Sequence, residues 1–391
     1  MDSFSSRSRF VAQENRLTLA REAARAARPL LDLTEGNPTR AGLSPTYEAL
    51  APLLSHIDLA GYAPEPFGLP SARTAVAHAL AEQGLSVCGD DVLLTASTSE
   101  AYGYLFKLLC DPGDAVLVPT PSYPLFDVLA QLEQVRLIPY HLSYDGEWHL
   151  DSAALEAARD ASTRAIVVVH PNNPTGSFLK RDELAALAAL GLPIISDEVF
   201  ADYALDQDAR RAVSALEAQD RVPVFRLGGL SKSCALPQLK LAWTVIAGPA
   251  ALKAEARARL EHMADAYLSP GVAVQLALPG LLATRQHTQA RILTRVRENR
   301  ALLSAGLSDS AASVLRIEGG WYAIVRLPML MNDEDWALCL LERDSVLTQP
   351  GYYYDLQQGA YLIVSLISES TVMREAVARI AARVNAACLQ R

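Results

Sequence analysis

Three short segments of the 391-residue sequence carry an amide, a carboxylate and an amine, each just after an apolar run. The first is His170-Pro171-Asn172-Asn173-Pro174-Thr175-Gly176, where prolines and glycine fix a turn and Asn173 offers both a donor and an acceptor. The second, Ser196-Asp197-Glu198-Val199-Phe200, ends the run PIIS with a carboxylate. The third, Gly228-Gly229-Leu230-Ser231-Lys232-Ser233, puts a lysine in a loop of small residues after VPVFRL. An amine can form a Schiff base, a carboxylate can keep a ring nitrogen protonated, and an amide can hydrogen-bond a phenolic oxygen. Together these meet the needs of pyridoxal phosphate, whose ring then serves as an electron sink while the displaced lysine carries a proton.

The elements around these loops must bring them to one place. Short runs rich in Val and Ile alternate with helical stretches. Asp91–Thr95, Ala115–Pro119, Ala165–His170, Pro193–Ser196, Val222–Leu227 and Ala242–Ala247 read as strands. Thr74–Gln83, Ser99–Cys110 and Arg181–Leu190 read as helices. Continuous apolar strands separated by helices predict a mostly parallel, doubly wound α/β sheet covered on both faces. In such a sheet the carboxyl ends of the strands frame the ligand crevice, where all three loops fall. A charged helix near Arg291–Leu307 leads to a second alternation: Ser313–Ile317, GGWYAIVRLP, SVLTQPG, AYLIVSL and a helix at Met373–Leu389. This reads as a smaller α+β domain, with the helix Arg16–Ala27 packed on it. The expected division is an N-terminal segment 1–54, a large domain 55–280 and a small domain 281–391.

Composition narrows the function classes. Half the residues are hydrophobic and 20% are charged, which supports a sizeable core and excludes wholesale disorder. A net charge of -9 argues against nucleic acid as a partner. Cys88, Cys110, Cys234, Cys339 and Cys388 include no C-x-x-C pair, which argues against a disulfide framework or a zinc site. The N-terminus has no apolar leader, and no uncharged run nears the roughly 20 residues a bilayer requires. A soluble cytoplasmic enzyme without a metal is expected.

HPNNPTG (170–176), SDEVF (196–200) and LSKSCALPQLK (230–240) resemble the class I/II aminotransferases of the fold-type I pyridoxal-phosphate enzymes. The resemblance extends over nearly the whole chain. LDLTEGNP (31–38) is similar to the family's entrance segment, and the stretch from Gly61-Tyr62 to Arg73 to its Gly-Tyr…Arg segment. LLTASTSEA (93–101) resembles its phosphate turn, DPGDAVLVPTPSYP (111–124) its aromatic stacking segment, and PGYYY (350–354) a late Pro-Gly element. The resemblance implies that Lys232 forms the Schiff base, Asp197 pairs with the pyridine nitrogen and Asn173 meets the phenolic oxygen. Tyr123 would stack on the ring. Ser97 and Thr98, opening a helix, would hold the phosphate together with Ser231 and Lys240. Tyr62 would reach the neighbouring subunit's phosphate, which implies a homodimer with shared sites. Gly36 and Asn37 would border the substrate carboxylate.

The departures bear on chemistry. Lys240 stands where the family usually has arginine, so charge is kept without the bidentate fork. Gly229 replaces a hydroxyl, for which Ser231 is a substitute, and Phe200 replaces a tyrosine. Ile363 occupies the place of the arginine that grips the substrate carboxylate. Arg40, just after GNP, is a candidate replacement, and a substrate without an α-carboxylate is the other explanation. Taken singly, Asp197 could cap a helix, HPNNPTG could be only a turn and Arg40 could lie on the surface. Their order along the chain is what joins them. The expected activity is transfer of an amino group from an amino acid or amine to a 2-oxo acid. One alternative keeps the cofactor for C–S or other β/γ-elimination. Another, a non-catalytic aminotransferase-like binding protein, sits poorly with the retained Lys232.

Overall fold

The computed structural model describes residues 4–9, 15–55, 57, 59, 61 and 63–390. Eight strands form the central sheet, in the spatial order Val92–Thr95, Ala242–Ala247, Val224–Gly229, Ile194–Asp197, Thr163–Val169, Ala115–Thr120, Arg136–Tyr144 and Trp148–Leu150. Ala242–Ala247 pairs antiparallel with both its neighbours, and Trp148–Leu150 pairs antiparallel with Arg136–Tyr144; the ladders between Val224–Gly229 and Arg136–Tyr144 are parallel.

The apolar runs are continuous because alternate side chains enter different layers. Ile194, Val224, Ile166 and Leu117 join Val76, Leu80, Leu187 and Leu278 on one face. Ile195, Phe225, Val167 and Val116 join Leu105, Phe106, Phe126 and Leu260 on the other. The helices Pro70–Ala81, Arg181–Ala189 and Val272–Ala283 thus cover one side. Thr98–Leu109, Phe126–Glu133 and Ala250–Asp265 cover the other.

A second sheet has the order Ser313–Val314, Tyr322–Leu327, Ala360–Ser365, Gln349–Pro350, with antiparallel ladders throughout. Leu31–Asp32 pairs in parallel with Val346–Leu347. Leu17 of the helix Arg16–Ala27, Leu33, Trp336 of Asp333–Asp344 and Val377 of Ser370–Leu389 share one apolar core. The helix Arg285–Leu307 contributes Ile292, Val296 and Leu303 to it. The sequence reading placed Arg16–Ala27 and Ala242–Ala247 at their observed bounds and began Arg285–Leu307 six residues late. It had not resolved Arg136–Tyr144, Trp148–Leu150 or the helices Ala250–Asp265 and Val272–Ala283.

Candidate active site

Five strand ends meet at one edge of the central sheet. Residues Thr98, Tyr123, Asn173, Asp197 and Lys232, each at or just beyond such an end, all line a single cavity of about 400 Å³. Register explains the convergence: Val169 pairs with Asp197 and Asp197 with Leu227, so the three central strands finish level. The chain then turns at His170, at Glu198 and into the short helix Leu230–Ser233, which carries Lys232.

Alternation along SDEVF sorts its two acids. Asp197 faces the cavity, where its Oδ2 accepts a hydrogen bond from the Tyr102 hydroxyl at 3.2 Å and its Oδ1 accepts one from the Val199 N–H at 3.2 Å. Glu198 points the other way. It pairs with the buried Arg226 at 2.7 Å and accepts from Ser196, Ser214 and the Ala215 N–H. Removal from water pushes the Asp197 carboxyl up to about 6, against the pull of its two hydrogen bonds and of Lys232. Burial also pushes the Lys232 amine down to about 8, and the Asp197 charge resists the shift. The Lys232 Nζ lies 5.2 Å from the Phe200 ring centroid and 4.8 Å from that of Trp321. Two apolar rings therefore wall the amine, and the Tyr203 hydroxyl fixes its backbone through a 2.6 Å hydrogen bond to the Lys232 carbonyl. An amine that is about half neutral near pH 8, and so available as a nucleophile, is the chemical result.

At the other end of the cavity the helix Thr98–Leu109 presents its N-terminus. Ser97 is the cap: its Oγ accepts from the Glu100 N–H at 3.1 Å, while the Glu100 side chain accepts from the Ala96 N–H at 2.6 Å. Ser97, Thr98, Ser99, Ser231 and Lys240 all line the cavity. Lys240 is held in the left-handed region at φ 49°. Hydroxyls, helix N–H groups and an ammonium make a site for a phosphate-sized anion. Gly229 also lines it, and a Cβ there would meet the Ala242 Cβ at 3.1 Å, so the hydroxyl missing from position 229 has little room.

Asn173 lines the cavity from the Pro-rich loop, and its buried Oδ1 has no hydrogen-bond partner among the described residues. The loop is held by Asn172, which donates to the Pro121 carbonyl and Thr175 Oγ1, both at 2.9 Å. His170 is a structural hydrogen bonder: its Nδ1 accepts from the Leu179 N–H at 2.9 Å and its Nε2 faces the Ala212 carbonyl at 3.1 Å. Tyr123 lies at the mouth, 46% exposed. Gly36 lines the cavity; Asn37 and Arg40 do not. The Asn37 Oδ1 is occupied by the N–H and hydroxyl of Thr39, and Arg40 is exposed. Tyr62 lies outside the described residues. Ile363 is fully buried in an apolar cluster with Trp148, Leu315, Ile324 and Tyr354.

Tyr102 and Tyr322 are among the cavity residues that the sequence motifs do not single out. Tyr102 follows Thr98 by four positions, so it lies one turn along on the same helix face, a spacing that could have flagged it. Tyr322 begins a strand in the second sheet and reaches the cavity across the molecule, and no local motif announces it. Among the described residues, no group of three or more His, Cys, Asp or Glu side chains could hold a metal ion. No helix among them is long and apolar enough to cross a membrane.

The family described as aminotransferase class I and II matches residues 28–380. Nicotianamine aminotransferase 1 of Oryza sativa subsp. japonica is 27% identical over 368 residues, covering 88% of this chain and 73% of the relative. Tyrosine aminotransferase of Mus musculus is 27% identical over 90% of this chain and 80% of its own. The solved alanine aminotransferase from Pyrococcus furiosus matches with a TM-score of 0.86 and 24% identity over 95% of this chain and 96% of that one.

Proposed function

The chain belongs to the class I and II aminotransferases, and from that premise we propose how its own residues perform the reaction. The fold is that of the fold-type I enzymes, and the activity is transfer of an amino group from an amino acid or amine to a 2-oxo acid. The family uses pyridoxal phosphate, and the donor set fits that group. The Asn173 side-chain amide makes no hydrogen bond among the described residues, Asp197 is a carboxylate held toward the cavity, and the Thr98–Leu109 helix opens on hydroxyls and N–H donors. When bound, the cofactor supplies an aldehyde for the amino group and a ring that accepts electrons.

Each residue then has a task. Lys232 Nζ would hold the aldehyde and, as a free amine, would carry the proton. Asp197 would keep a proton on the ring nitrogen, and Tyr102 and the Val199 N–H fix the carboxylate's direction. Asn173 would serve the phenolic oxygen, and Tyr123 would cover the ring. Ser97, Thr98, Ser231 and Lys240 would hold the phosphate. Phe200 and Trp321 keep water from the amine. The carrying observation is that Lys232, Asp197 and Asn173 come from three different strand ends and line one cavity with a helix N-terminus.

Replacing Lys232 with Ala should abolish both the near-visible absorbance of the bound cofactor and its bleaching by amino donors. An unchanged spectrum and turnover would sink the assignment. Incubation with amino acids in the absence of an acceptor should release no ammonia, and steady release would favour elimination instead. We further propose a cytoplasmic homodimer with Tyr62 serving the neighbouring site, and the division 1–54, 55–280 and 281–391. In support of the dimer, the packed helices Tyr47–Ser55 and Val272–Ala283 leave Tyr47, Leu54, Val272 and Leu276 exposed.

A further inference from the structure

We infer that the Tyr322 hydroxyl receives the carboxylate of the substrate beside Gly36, where the family resemblance already sets that group, so that this site reads an acid with a neutral side-chain donor; the inference rests on the aminotransferase reading above. The cations available are few. Among the described residues lining the cavity, only Lys232 and Lys240 carry positive charge, and the cofactor takes both. A carboxylate entering the remaining space needs hydrogen-bond donors there, because leaving it unpaired in a walled site is costly.

Tyr322 supplies one. Its residue opens the strand Tyr322–Leu327, opposite Ser365, and its ring stands edge-on to Phe200 with centroids 6.4 Å apart. The hydroxyl makes no hydrogen bond to any described residue, although most of the side chain is enclosed. Its oxygen fills the space over Gly36, where an added Cβ would lie 2.3 Å from it. The glycine therefore lets the phenol reach the cavity, and its own N–H makes no hydrogen bond within the described chain. Burial, with Tyr123 and Glu35 nearby, raises the phenol's pKa, so the group stays protonated and can only donate to an anion. Glu35, whose Oε1 accepts from the Asn37 N–H at 2.8 Å, makes no hydrogen bond to the phenol. Ser365, across the strand, spends its hydroxyl on the Glu35 carbonyl at 2.6 Å. Tyr322 thus offers an unspent side-chain donor beside Gly36.

The test compares each amino acid with its decarboxylated amine in the cofactor-loaded enzyme, using phenylalanine against 2-phenylethylamine and alanine against ethylamine. Tyr322→Phe removes a single oxygen. It should lower the ratio of kcat/KM for acid over amine by about ten- to a hundredfold, through KM, with the cofactor spectrum unchanged. The dissociation constant of propanoate, read by calorimetry on the loaded enzyme, should rise by a similar factor. Gly36→Ala, which drives a methyl onto the hydroxyl, should reproduce both effects. An unmoved ratio and an unmoved propanoate affinity would overturn the inference while leaving the aminotransferase reading intact. Wild-type enzyme that bleaches with neither substrate class would instead overturn both.

Discussion

Asp197 and Lys232 show how position sets chemistry one side chain at a time. Both lose water at the same cavity, and the loss moves their proton affinities toward each other, the acid up to about 6 and the amine down to about 8. The sign for stability follows. The Asp197 carboxyl has an ordinary value of 3.8, so between about pH 4 and pH 6 the folded, cofactor-free protein keeps a proton the unfolded chain has released. Its contribution to stability is present below that window and is lost as pH rises through it. Asp197→Asn should therefore make the cofactor-free protein more stable by about 2 kcal/mol at pH 7.5, and the advantage should vanish near pH 4. In the loaded enzyme the same change should lower kcat/KM by at least about a hundredfold. Denaturation midpoints across pH, set beside kinetics, check both halves; a pH-independent stability difference would contradict the burial argument. These two residues were legible in the sequence from type and order alone. Tyr322 was not, because its meaning comes from Gly36 lying nearly three hundred residues away in the chain and directly beneath its hydroxyl.

Helix Thr98–Leu109 does two jobs with one set of atoms. Ser97 caps it, Ala101, Leu105 and Phe106 pack its inner face under the sheet, and Tyr102 on the neighbouring row reaches Asp197. The N-terminal donors left over by the cap are the ones an anion can use. Ser97→Ala should cost the cofactor-free protein about 1 kcal/mol and also weaken cofactor retention, whereas Ser97→Asn should restore the stability. Chemical denaturation together with cofactor titration separates the effects; equal retention in Ser97→Ala would remove Ser97 from the anion site. Strand direction was legible where both faces are buried, as in Ile194–Asp197 and Val224–Gly229, because continuous Val and Ile report cover on two sides. Arg136–Tyr144 was not, since it buries only Tyr140 and places Arg136, Pro139 and His141 in the open. Val272–Ala283 was hidden by its near-uniform apolarity and by Pro279 within it, which together erase the helical period.

At the scale of the molecule, the cavity is assembled from segments far apart in the chain: Gly36, the central strand ends and Tyr322 of the second sheet. Order of motifs made that assembly legible, because each loop follows a strand and parallel strands align their ends. What order could not convey is the far wall, where Ile363 turns out to sit in an apolar cluster and Arg40 stays at the surface. The proposed dimer predicts a sedimenting mass of twice the 42.2 kDa chain at micromolar concentration. Substituting Leu54 and Val272 with Asp should yield a monomer that has lost turnover, whereas a wild-type monomer with full turnover would dispose of the shared site. The most direct measurement of the central claim is to load the enzyme with pyridoxal phosphate, reduce it with borohydride and map the peptides by mass. The adduct should fall on Lys232 and spare Lys107, Lys180, Lys240 and Lys253. A stoichiometric adduct on any of those four, or none at all with the transaminase still active, would contradict the account.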